Sequence, residues 1–101
     1  MIKHICMFKM KENANGKTGY ENAVEAAARL DGFEEKIPSL KKIIVSVNSK
    51  DAPADNFELV LECDFDDIEG LNAYQVHPVH VEFGKYLSEL REKRACIDYE
   101  Y

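Results

Sequence analysis

Between residues 57 and 65 the chain alternates: Phe57, Leu59, Leu61, Cys63 and Phe65 hold the odd positions, with Glu58, Val60, Glu62 and Asp64 between them. Successive side chains of a strand point to opposite faces, so this spacing predicts a strand with one apolar face turned to a core. The same period recurs less cleanly in three other segments. Ile2, His4, Cys6, Phe8 and Met10 alternate with Lys3, Ile5, Met7 and Lys9, which leaves both faces of a first strand partly apolar. Lys42 to Asn48 places Ile43, Val45 and Val47 on one side, and Cys96 to Tyr101 places Ile97, Tyr99 and Tyr101 opposite Asp98 and Glu100. The β-branched and aromatic residues in both suit strands.

Between the strands the period changes to that of a helix. Asn15-Gly16 is a turn signal, and Thr18 with Glu21 has the spacing of a capping box, so a helix is predicted to begin near Gly19. Ala23, Ala26, Ala27, Leu30, Phe33 and Ile37 recur at three- and four-residue steps up to Pro38, whose ring cannot extend the hydrogen-bond ladder. Asp66 and Glu69 repeat the cap spacing before a short helix through Tyr74. His77-Pro78 then opens a second helical segment, with proline at its first position, predicted to run to about Lys93.

The predicted order is β-α-β-β-α-β, the ferredoxin-like α+β arrangement in which two helices cover one face of a four-stranded antiparallel sheet. A chain of 101 residues, without internal repeat or linker, makes one domain over 1–101. The uncovered face carries apolar side chains. Its simplest closed solution is burial against an identical sheet, a homodimeric α/β barrel.

A formal charge of −6, with 13 basic against 19 acidic residues, argues against a nucleic-acid partner, because phosphate binding rests on clustered Lys and Arg. Lys41-Lys42 and Arg91–Arg94 read as solvated faces. No apolar run reaches the roughly 18 residues of a membrane span. The opening residues Met1–Cys6 read as a strand rather than an export signal, and Cys6, Cys63 and Cys96 are odd in number and far apart in sequence. Both features predict a cytoplasmic protein with reduced, buried cysteines.

Ile2-Lys3-His4-Ile5, the run Tyr74-Gln75-Val76-His77-Pro78-Val79-His80 and Ile97-Asp98-Tyr99 resemble, in order and spacing, the stress-responsive dimeric α/β-barrel (Dabb) family. The Y-x-x-H-P-x-H run is the most specific of the three. The resemblance implies a homodimeric barrel with a small pocket between sheet and helices in each protomer. In a plant relative, olivetolic acid cyclase, it further implies cofactor-independent aldol closure of a polyketide, with the histidine matching His80 as base, the tyrosine matching Tyr74 holding it, and the histidine matching His4 in the same pocket. This chain departs from that enzyme at Leu59, where the cyclase has a further pocket histidine.

The residues themselves single out His80. At about 100° per residue, Val79, Phe83, Tyr86, Leu87 and Leu90 form an apolar stripe with His80 at its edge, about 20° from Leu87. An imidazole there can take and return a proton near neutrality, or can simply brace the helix packing. Tyr74 is read either as a hydroxyl that orients His80 or as a packing ring, and His4 either as a substrate contact or as a hydrogen-bonded core residue. His77 reads as a brace of the turn. No metal set is expected, because Pro78 interrupts the H-x-x-H spacing of His77 and His80, and no fingerprint for a phosphate or dinucleotide cofactor is present. Two functions follow: a cyclase or lyase acting without cofactor on a small apolar or phenolic carbonyl compound, or a dimeric stress protein that binds a small molecule or has a structural role without catalysis.

Overall fold

The computed structural model describes Met1–Tyr101. Four strands make the sheet: β1 (Ile2–Met10), β4 (Lys42–Val47), β5 (Leu59–Phe65) and β6 (Arg91–Glu100), in the order β4-β5-β1-β6 and antiparallel throughout. Helices α1 (Gly19–Arg29), α2 (Phe33–Lys36), α3 (Ile68–Val76) and α4 (Pro78–Ser88) complete the ferredoxin-like fold. A two-residue-per-arm hairpin, β2 (Asn13–Ala14) and β3 (Lys17–Thr18), precedes α1. Asn15 and Gly16 form its turn, both at positive φ (54° and 73°), which a right-handed strand pair favours in its connection.

Alternation decides which side of each strand is buried. Ile2, His4, Cys6, Phe8 and Met10 of β1 and Leu59, Leu61, Cys63 and Phe65 of β5 all face the helices and are buried. They close one core with Ala23, Ala26, Leu30, Leu71, Phe83 and Leu87 from the helical layer. The opposite face presents Met7, Ile44, Ile97, Tyr99 and Tyr101, all exposed.

The local signals at the helix starts act as predicted at α1 and α4. Glu21 N–H donates to the Thr18 hydroxyl and Thr18 N–H to the Glu21 carboxylate, closing the capping box at 3.1 and 2.9 Å. His77 caps α4, its Nδ1 accepting from Val79 N–H at 3.1 Å. At α3 the cap is Asp67, not Asp66: its carboxylate accepts from Gly70 N–H at 2.8 Å.

Three features differ from the sequence reading. The long first helix is two, because Gly32 takes φ +83°, a left-handed conformation that breaks the helix after Leu30 and restarts it at Phe33. The periodicity survives the break because Phe33 and Ile37 still reach the core. The last helix ends at Ser88 rather than near Lys93, and β6 begins at Arg91. Pairing with β1 outweighs helical preference there, since extending β6 back to Arg91 matches Met10 at the far end of β1.

The third difference concerns the cysteines. Cys63 is a buried thiol, as expected, but Cys6 and Cys96 are joined as a disulfide, and Cys96 is exposed. Ninety residues apart in sequence, they are direct register partners across β1 and β6, with Cα atoms 4.2 Å apart. Distance along the chain is no measure of distance in an antiparallel sheet.

The break at Gly32 yields a test. Gly32→Ala adds a Cβ that meets no atom closer than 3.7 Å, so its cost is the left-handed backbone alone, about 1 kcal/mol. Urea unfolding should show a lower midpoint at unchanged slope; a raised midpoint would mean that the helix is not broken there.

Candidate functional site

On the helix-facing side, between β1, β6, α3 and α4, lies a cavity of about 340 Å³ lined by His4, Tyr74 and His80, with Arg91 and Arg94 on its β6 side. Six of its twelve lining residues are hydrophobic, which with the basic and imidazole groups suits a small, mostly apolar molecule bearing a polar handle. A larger surface groove of about 650 Å³, bordered by Ser46, Asn48, Asp55 and Glu58, contains no histidine, cysteine or tyrosine.

His80 is half-buried near the start of α4, at the edge of the stripe formed by Phe83 and Leu87. Its Nδ1 lies 3.1 Å from the Gln75 carbonyl. A carbonyl can only accept, so Nδ1 carries the hydrogen and Nε2 holds the free lone pair. The break at Pro78 makes this possible, since Gln75 is five residues back in α3 and its carbonyl is met across the junction. Burial holds the His80 pKa below the ordinary imidazole value, against the opposing effect of the Gln75 carbonyl, while His4 and Arg94 push it down further.

Tyr74 is buried, and its ring centroid is 4.4 Å from that of His80 and 5.1 Å from Phe65. The Cys63 thiol lies beside its hydroxyl, while His80 Nδ1 is taken by the Gln75 carbonyl. Burial pushes both groups up, the tyrosine strongly and the thiol to about 12, so both stay protonated at neutral pH. Tyr74 thus meets His80 with its ring face, and the tautomer of His80 is set by main chain.

His4 is buried on β1, and its Nδ1 is 2.5 Å from the Asp98 carboxylate, its register partner on β6. A carboxylate accepts, so Nδ1 carries the hydrogen of this contact. The His4 and Tyr74 rings meet edge to face at 6.3 Å.

Asp98, Gln75 and Arg94 were not singled out by sequence. Asp98 sat on the predicted polar side of the last strand, and nothing without the β1–β6 register pairs it with His4. Arg91 and Arg94 fell in a stretch read as the end of a helix and as a solvated cluster; on β6 they reach the cavity. His4, Cys6 and Cys96 have ligand-type atoms within 4.8 Å of one another. They make a poor metal set as arranged, because the sulfurs are bonded to each other, His4 Nδ1 is committed to Asp98, and the Arg94 guanidinium touches both sulfurs. His77 and His80 also commit their Nδ1 atoms to separate backbone groups.

The sequence model of the stress-responsive A/B barrel domain, Dabb, matches residues 2–101. This chain belongs to the Dabb family. Among solved structures it is similar to a dimeric protein of unknown function with a ferredoxin-like fold from Bacteroides fragilis, at 31% identity over 99% of this chain and 95% of the other, with a TM-score of 0.85. It shares its fold with hydroxynitrile lyase from Passiflora edulis, at 18% identity, TM-score 0.76, covering 97% of this chain and 90% of that one. A putative antibiotic biosynthesis monooxygenase from Nitrosomonas europaea also shares the fold, at 14% identity, TM-score 0.75, covering 100% and 98%. No protein in the curated set of characterised sequences matches the chain. No helix of this Dabb protein is long and apolar enough to cross a membrane.

The burial of His80 carries a sign. Its native pKa lies below that of the unfolded chain, so its contribution to stability is fully present above about pH 6.5 and is lost as pH falls through the lowered native value. Titration of the His80 ring protons by NMR should give a midpoint below 6.5, whereas a midpoint above it would contradict the burial of this ring.

Proposed function

We propose that this Dabb protein is a homodimeric, cofactor-independent enzyme of the cyclase or lyase kind, which moves a proton next to the carbonyl of a small apolar or phenolic compound. His80 Nε2 takes the proton, and the Tyr74 ring holds the imidazole in place. His4, oriented by Asp98, meets the substrate oxygen from the β1 wall. The observation that carries the reading is the tie of His80 Nδ1 to the Gln75 carbonyl, which leaves an uncharged imidazole with its lone pair available beside a ligand-sized cavity. General-base action requires that state at neutral pH.

The arginines on the β6 side supply positive charge near the developing enolate, and the apolar half of the lining excludes water from it. That a protein of the same fold is a hydroxynitrile lyase supports a fold able to host such chemistry. The rival reading is a stress protein that binds the same class of molecule without turning it over.

Self-association follows from the uncovered sheet face. Met7, Ile44, Ile97, Tyr99 and Tyr101 are exposed there together, and a second copy of that face is self-complementary by two-fold symmetry. The similar proteins from Bacteroides fragilis and Thermobifida fusca are dimeric.

The test of chemistry is deuterium uptake at the carbon next to the carbonyl of β-ketoacyl and phenolic ketone probes in D2O. The wild-type protein should accelerate exchange, and His80→Gln should reduce the rate by about 100-fold or more while keeping the fold. Binding of a probe without any acceleration would establish the non-catalytic reading instead. Light scattering should give twice the protomer mass of 11.5 kDa, and a monomer at micromolar concentration would sink the barrel.

A further inference from the structure

Beside the two imidazoles, Cys6 lines the cavity wall and is bonded to Cys96, a pair of sulfurs that the proposed chemistry does not use. Cys6 is buried and lines the cavity, whereas Cys96 on the edge strand is exposed. The Arg94 guanidinium spans both, with Nη2 2.9 Å from Cys96 Sγ and 3.4 Å from Cys6 Sγ. We infer that Cys6 and Cys96 are a redox-active thiol–disulfide exchange site, whose partners are low-molecular-weight thiols and disulfides of the glutathione kind.

Three observations support this. The two residues are register partners in a strand pair that is joined along nine positions by main-chain pairing, so opening the sulfur bridge leaves the sheet intact. The fold does not depend on it. The permanently charged guanidinium at both sulfurs is placed to stabilise whichever becomes a thiolate, and it lies nearer the exposed one. Exposure of one sulfur and enclosure of the other divide the roles of attacking and resolving cysteine, and exposed bridges are the exchangeable ones.

In the reduced protein the Cys96 thiolate attacks one sulfur of a disulfide RSSR, forming a Cys96–S–S–R bond and expelling RS−. The Cys6 thiolate then attacks the Cys96 sulfur, forming the Cys6–Cys96 bond and expelling the second RS−. The two protons released by the cysteines are taken up by the two leaving thiolates, so two protein thiols are oxidised and RSSR is reduced to two RSH. Excess RSH drives the reverse.

The exchange shares Arg94 and the Cys6 wall with the acid–base reading but needs no activity to test. The intact protein is equilibrated with graded mixtures of reduced and oxidised glutathione, quenched by alkylation, and mapped by mass spectrometry. Cys6 and Cys96 should interconvert between dithiol and disulfide within that series, while Cys63, buried against Tyr74, keeps its thiol throughout. In Cys6→Ser, oxidised glutathione should trap a mixed disulfide on Cys96. In the reduced protein, Arg94→Gln should slow alkylation of Cys96 by roughly fivefold or more; this variant sits at the exposed edge and leaves the core untouched. A pair that stays fully oxidised or fully reduced across every mixture overturns the inference, as does a mixed disulfide formed on Cys6 in Cys96→Ser but not on Cys96 in Cys6→Ser.

Discussion

Everything at the site depends on β1 being hydrogen-bonded along both edges, to β5 on one side and β6 on the other. A strand fixed on two edges cannot slip by one residue without turning every side chain to the other face. Its even positions are therefore committed to the helical layer, and His4 and Cys6 are carried in among Ile2, Phe8 and Met10. A polar residue placed on such a face must find a partner or cost stability. The β6 register supplies one, setting Asp98 opposite His4 and Cys96 opposite Cys6.

The second constraint is the interrupted helix. A continuous helix from Ile68 to Ser88 would have spent the Gln75 carbonyl on its own ladder. Pro78 cannot donate, so the chain turns at His77, whose ring caps α4, and the freed carbonyl accepts from His80. Two imidazoles thus stand on either side of one cavity, each with Nδ1 occupied, one by a carboxylate and one by main chain. The difference matters chemically, because the backbone carbonyl carries no net charge and leaves burial to dominate at His80.

The order of elements was legible because alternation in residues 57–65 and the three- and four-residue steps in α1 are strong local signals, and the capping box at Thr18 and the His77-Pro78 junction name their own positions. The Gly32 break was hidden because the apolar period runs through it unbroken. The start of β6 was hidden because Arg91, Glu92, Lys93 and Arg94 suit a helix as well as a strand, and only their pairing with β1 decides. For the site, the position of His80 beside its apolar stripe could be read from helical geometry. Its partner could not, nor could Asp98, Arg94 or the Cys6–Cys96 bridge, since all of these arise from residues brought together by sheet register or by the turn between α3 and α4.

The proton-transfer chemistry turns on which nitrogen of His80 carries the hydrogen. Long-range 1H–15N correlation of the His80 ring at neutral pH reads this directly. The expected result is an uncharged ring with hydrogen on Nδ1 and a bare Nε2. A ring protonated on Nε2, or an imidazolium carrying both hydrogens at neutral pH, would contradict it.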